Sequence, residues 1–158
     1  MRASLALSVL ALVALPLPVA GQATVAPDTS ELTLLGLGYG ADSVTVIRVL
    51  GLPDSIRSHK HPFDVAAWLR TWYYPNVLIF FNPEGHRDGM KLLLPGVRTR
   101  RGLAVGDRAD RARALYGAPD EEAEDELRWG IRGQTDPVLV VGIRDGRVQS
   151  IFVGHIID

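Results

Sequence analysis

Gly36-Leu37-Gly38-Tyr39-Gly40, followed by Gly51-Leu52-Pro53-Asp54, recurs without a gap as Gly102-Leu103-Ala104-Val105-Gly106, followed by Gly117-Ala118-Pro119-Asp120. Val77-Leu78-Ile79-Phe80-Phe81-Asn82-Pro83-Glu84-Gly85 likewise aligns with Val138-Leu139-Val140-Val141-Gly142-Ile143-Arg144-Asp145-Gly146. Each copy reads as a Gly-rich lead-in, a helix signal and then a hairpin signal. In the first copy Val44, Ile47 and Leu50 fall at helical spacing, and Asp42 or Ser43 can cap the helix by accepting a first-turn N–H. In the second, Ala109, Ala112 and Leu115-Tyr116 form the stripe behind an Asp107 cap. Gly51 and Gly117 end the helices, and Pro53 and Pro119 forbid their resumption.

The stretches between these marks read as strands and turns. Ala66–Tyr74 and Asn76–Phe81 are rich in aromatic and β-branched residues, which suit a pleated surface. Met90–Leu94 follows the Asn82-Pro83-Glu84-Gly85 turn. Leu127–Ile131, Val138–Ile143 and Val148–Val153 repeat the scheme, with Asp145-Gly146 as a hairpin turn. Ser55–Asp64 and the acidic run Glu121–Glu126 read as loops, and Glu31–Leu35 as a short strand. The expected fold is therefore α+β: two tandem helix-plus-three-antiparallel-strand repeats, with the helices packed on one face of antiparallel sheet. The expected divisions are 1–23 signal peptide, 24–33 flexible leader, 34–97 first repeat and 98–158 second repeat, packed together as one compact domain.

The signal peptide is read from a positive start at Arg2, an apolar run from Leu5 to Val19 and small residues at Ala20, Gly21 and Ala23. That run is short and broken by Pro16 and Pro18, so no integral membrane segment is expected after cleavage. The protein is expected in the periplasm or the medium. It contains no cysteine, so packing rather than disulfides must hold it together. Its net charge of −1 leaves no basic excess for nucleic acid.

The pattern resembles the small bacterial envelope domains called SmpA/OmlA, or BamE-like, and the two-repeat β-lactamase inhibitory proteins (BLIP). Gly102 to Asp107, Tyr116 to Asp120, Asp145 to Val148, Leu50 to Asp54 and Trp72 to Tyr74 carry the likeness, which extends from Leu34 to Gly154. It implies a binding or assembly role. The chain lacks the lipid-attachment cysteine of the former group and the disulfides of the latter, so neither specific role transfers by residue.

Gly36 to Ala41 mimics a dinucleotide loop, but Pro53 and a loop follow where that fold needs a parallel strand. His59, His61 and His86, with Asp88, are of metal-ligating type, and a metal-dependent or hydrolytic envelope enzyme built on them is the alternative reading. No Gly-x-Ser-x-Gly motif accompanies Ser55, Ser58 and His59. No catalytic residue, metal ligand or cofactor is assigned. The leading expectation is a non-enzymatic protein that binds another envelope or secreted protein. Strand alternation puts Arg70, Trp72 and Tyr74 on one face. Because an apolar core rarely accepts an unpaired arginine, that face is expected to be the open, partner-binding one.

Overall fold

The computed structural model describes residues 26–64 and 66–156; the expected signal peptide lies outside them. All eight strands join one antiparallel sheet in the order β1-β2-β3-β4-β8-β7-β6-β5. Helix α1 (Ser43–Leu50) precedes the meander β1 (Ser55–Lys60), β2 (Trp68–Tyr73), β3 (Val77–Phe81) and β4 (Arg87–Leu92). Helix α2 (Ala109–Tyr116) precedes β5 (Glu121–Glu122), β6 (Glu126–Gly130), β7 (Pro137–Arg144) and β8 (Arg147–His155). The expected pair of helix-plus-three-strand repeats is therefore corrected. The described residues form mostly one eight-stranded sheet with two short α-helices. The missed strands are its two edges. β1 reads Ser-Ile-Arg-Ser-His-Lys and is exposed along its whole length, and β5 is two exposed glutamates. An edge strand with no buried side shows no apolar alternation, and its charges discourage further pairing.

The strands that do have a buried side carry the core. Cross-strand partners share a face, and the register runs Trp72–Ile79–Met90–Val153–Leu139–Trp129 across six strands. Every one of these residues is buried. Val46 of α1, and Ala112 and Tyr116 of α2, join the same cluster. At the β7–β8 turn Asp145 and Gly146 both have positive φ, as a type I′ hairpin requires.

Asp42 caps α1, accepting a hydrogen bond from the Thr45 N–H at 2.7 Å. Asp107 does not cap α2. The cap position is Arg108, with no side-chain bond, and Asp107 instead accepts from the Ala104 N–H and pairs with Arg111. The two helix exits have nearly the same backbone: Gly51 at φ 82, ψ −167 and Gly117 at φ 82, ψ −165. This is the extended positive-φ region open only to glycine, not the left-handed helical one.

The segment expected to be a flexible leader is anchored from Ala26 onward. Thr29–Leu32 forms a 3-10 turn capped by Asp28, and Glu31 and Leu32 are buried. The Tyr116 hydroxyl donates to Glu31 Oε2 at 3.0 Å. Thr99 Oγ1 lies 2.6 Å from the Tyr116 hydroxyl and accepts from the Leu103 N–H. Arg101 Nε stands 3.4 Å from Glu31 Oε1. Burial nevertheless pushes the Glu31 carboxyl above its ordinary 4.5, against the opposing pull of Tyr116 and Arg101.

Gly117→Ala should lower stability by about 1–3 kcal/mol, the strain of an L-residue in that region, seen as a lower urea midpoint with unchanged slope. For Glu31 the folded value exceeds the unfolded one. Its contribution is therefore fully present below pH 4.5 and is lost as pH rises through the folded value. Urea midpoints measured across that range should decline more steeply in the wild type than in Glu31→Gln.

Candidate functional site

The sheet face opposite the core holds the candidate site. Its central row is Leu78–Lys91–Phe152–Val140–Arg128, and the adjoining row is Thr71–Phe80–Gly89–Gly154–Val138. Two glycines therefore lie side by side in mid-sheet. A Cβ on Gly154, whose φ is 151, would sit 2.4 Å from the Asp88 carbonyl oxygen and from Gly89 Cα. A Cβ on Gly89 would come within 2.8 Å of the Phe152 ring. The rings of Phe80 and Phe152 meet edge to face over this floor, with centroids 5.8 Å apart. Both remain half-buried.

Around them opens a trough of about 330 Å³, walled by His59, Leu69, Lys91, Glu126, Val140 and His155. A second hollow of about 480 Å³ shares Lys91, Glu126, Val140 and Phe152 and continues over Gly142 and Ser150. The volume is within the range of ligand clefts.

The polar groups on this wall are mostly engaged. Asp88 accepts from the Tyr39 hydroxyl at 2.7 Å, and His155 Nδ1 lies 3.6 Å from its other oxygen. Burial, and then the bond to Asp88, push Tyr39 up to about 12, so it stays a donor at neutral pH. His59 Nε2 and Thr71 Oγ1 are 3.0 Å apart. Glu126 pairs with Arg128 at 3.1 Å. Lys91 has no acidic partner among the described residues.

The expected site is corrected. Trp72 is 6% exposed and packs on Phe81 with ring centroids 4.6 Å apart. Tyr74 is 9% exposed, and its hydroxyl donates to the Gly51 carbonyl, tying β2 to the exit of α1. Both belong to the core. Arg70 shares their face but sits near the start of β2, where it is exposed and reaches toward Gly85 in the β3–β4 turn. An arginine near a strand end does not reveal which face is covered. The face that carries Trp72 and Tyr74 is the one the core covers.

His59, His61 and His86 do not converge. No group of three or more His, Asp or Glu side chains among the described residues is placed to hold a metal ion. Nor is the Gly36–Gly40 loop a phosphate cradle. The Gly40 N–H is taken by the Arg87 carbonyl, and the Gly38 carbonyl accepts from Arg87 Nε. Burial pulls that guanidinium down to about 10, which still leaves it charged at neutral pH.

Sequence reasoning missed Lys91 and Phe152 as surface groups. The readable signal was glycine inside strands, at 89, 142 and 154, which marks a close backbone approach or a missing side chain.

No family model matches the chain, and no curated protein matches it. Among solved structures it is similar to an extracellular protein containing an SCP domain from Bacillus anthracis str. Ames. The TM-score is 0.54 at 9% identity, over 74% of this chain and 44% of that one. This chain thus spans less than half of that protein, and the likeness speaks to fold alone. A second similar structure is the uncharacterized protein yfeY from Escherichia coli. It has a TM-score of 0.46 at 13% identity, over 84% of this chain and 99% of that one. No helix of the described residues is long and apolar enough to cross a membrane.

Because Trp72 fills the core, Trp72→Ala should lower the unfolding free energy by about 3–5 kcal/mol. A urea titration measures it. A drop below 1 kcal/mol would mean that this face is not the packed one.

Proposed function

We propose that this is an exported, non-enzymatic binding protein that recognises another protein through the open face of its sheet. The observation that carries the reading is the Phe80–Phe152 pair, held half-exposed over a glycine floor in a trough at mid-sheet. The opposite face is filled by core, so the helices do not need these rings. Aromatic anchors in a concave setting with charged walls have the composition of binding hot spots. Export is supported by the charged start, apolar run and small residues of the first 23 positions. The absence of cysteine suits a chain that has no use for disulfides wherever it resides. The metal-dependent form of the alternative reading gains nothing from His59, His61 and His86, which form no ligand cluster among the described residues.

The test is affinity capture from the native envelope and secreted fractions, with wild type and Phe152→Ala compared at matched folded fraction. The wild type should enrich a specific protein, and the variant should bind it about 30-fold more weakly, the scale of one aromatic hot spot. Equal capture by the two forms, or no specific capture by the wild type, would overturn the reading.

A further inference from the structure

We infer that the trough takes an anion carried on an apolar body: an acidic group of the partner set against Lys91, with the attached aromatic or aliphatic body resting on Phe80 and Phe152. This rests on the open-face reading above. Two acids line the trough, and both are engaged: Asp88 by Tyr39 and His155, and Glu126 by Arg128. Lys91 is half-buried between its cross-strand neighbours Leu78 and Phe152. It has neither a hydrogen bond nor an ion pair among the described residues. On the same face Arg57 lies over the Tyr73 ring at 5.1 Å, also without an acidic partner there. Lys91 and Arg57 are thus two cations beside the aromatic pair with no carboxylate set against them, whereas the Asp88 carboxylate is already met by a hydroxyl and an imidazole.

An ammonium held among apolar side chains gains more from a counter-ion than one in open water, because the local dielectric is lower. A carboxylate brought to Lys91 makes a charge-assisted hydrogen bond. Its attached body then covers the exposed parts of the two rings. A neutral ligand would leave the ammonium partly stripped of water and unpaired, and a cationic one would meet it directly. A second copy of this chain docked with the two-fold axis through the trough would bring two equivalent Lys91 side chains toward one another. Charge thus selects a foreign, acidic occupant.

The test uses the full chain and three probes of one shape: 2-naphthoate, 2-naphthalenemethanol and 2-naphthylmethylammonium. Binding is read from amide NMR shifts at Gly89, Gly154 and Phe152. The carboxylate should bind about tenfold more tightly than the alcohol, and the ammonium more weakly than either. Lys91→Gln should erase the preference for the carboxylate and leave alcohol binding unchanged. Lys91→Glu should invert the order toward the ammonium. Equal affinities for the three probes in the wild type, shifts confined to residues outside the trough, or an order unaffected by Lys91→Glu would each overturn the inference. Captured protein and free small acid are separated by repeating the affinity capture with Lys91→Gln. If capture falls together with naphthoate binding, the acid belongs to the partner. If protein capture persists undiminished while Phe152→Ala loses it, the partner reading stands and the anion assignment falls. If naphthoate binds through Lys91 and no protein is captured, the anion site stands, its ligand is a small acid, and the protein reading falls.

Discussion

The hydrogen-bonded seam between β4 and β8 is the constraint on which the rest of the molecule depends. Each half of the chain makes a four-stranded meander, and this one antiparallel pairing, from Gly89–Gly154 to Leu92–Ile151, turns two meanders into a single sheet. The seam carries the core row from Met90 to Val153 without interruption. On the other face it sets two glycines against each other so closely that no side chain fits between the strands. The continuous core and the floor of the trough are thus the two faces of one backbone contact. A substitution at Gly154 would disturb both at once, since the space its Cβ would need is occupied by backbone, which cannot rotate away as a side chain can.

Two buried ionic groups fasten the chain around this sheet, and they do so differently. Arg87 donates to backbone carbonyls of the Leu32–Gly38 segment, so it orders a loop through hydrogen bonds rather than through an ion pair. Glu31 accepts from the Tyr116 hydroxyl, itself bonded to Thr99, and faces the Arg101 guanidinium, and so ties the segment before α1 to the end of α2. Charges removed from water in this way contribute little net stability, and their known use is to make one arrangement better than its competitors. Here they fix the segment Ala26–Gly40, which has little apolar periodicity of its own, across the ends of both helices.

Much of the fold was legible where a residue had one physical job. Gly51, Gly117, Pro53 and Pro119 marked both helix ends, because backbone conformation at those points admits few residue types. Asp145-Gly146 marked its hairpin for the same reason. Strands with one face in the core were legible from alternation and composition. β1 and β5 were not, because nothing buries them and their sequences are indistinguishable from polar loops. The open face was illegible for a different reason. Trp68, Arg70, Trp72 and Tyr74 alternate clearly, but alternation defines two faces without saying which is covered. That is decided by the helices, whose own contacts are long-range. Arg70 pointed the wrong way because the sheet ends near it and lets a core-side residue reach water. The trough residues Lys91 and Phe152 look like ordinary strand positions until the glycines beside them are placed in register.

The strand order also has a consequence for how the chain reaches this state. β8 follows every other strand in sequence, yet it lies in the interior of the sheet between β4 and β7. The hairpins of the first meander join near neighbours and can close early, since short loops lose little entropy on closure. The seam cannot. It joins segments separated by α2 and the strands β5 to β7, which raises the contact order and slows the final step. Until β8 arrives, β4 is an edge with a free row of backbone donors and acceptors beside an apolar face. That is the situation in which strands pair with the wrong chain. Loss of the last strand would therefore remove the middle of the sheet rather than trim its rim, leaving two half-sheets with no partner for either inner edge.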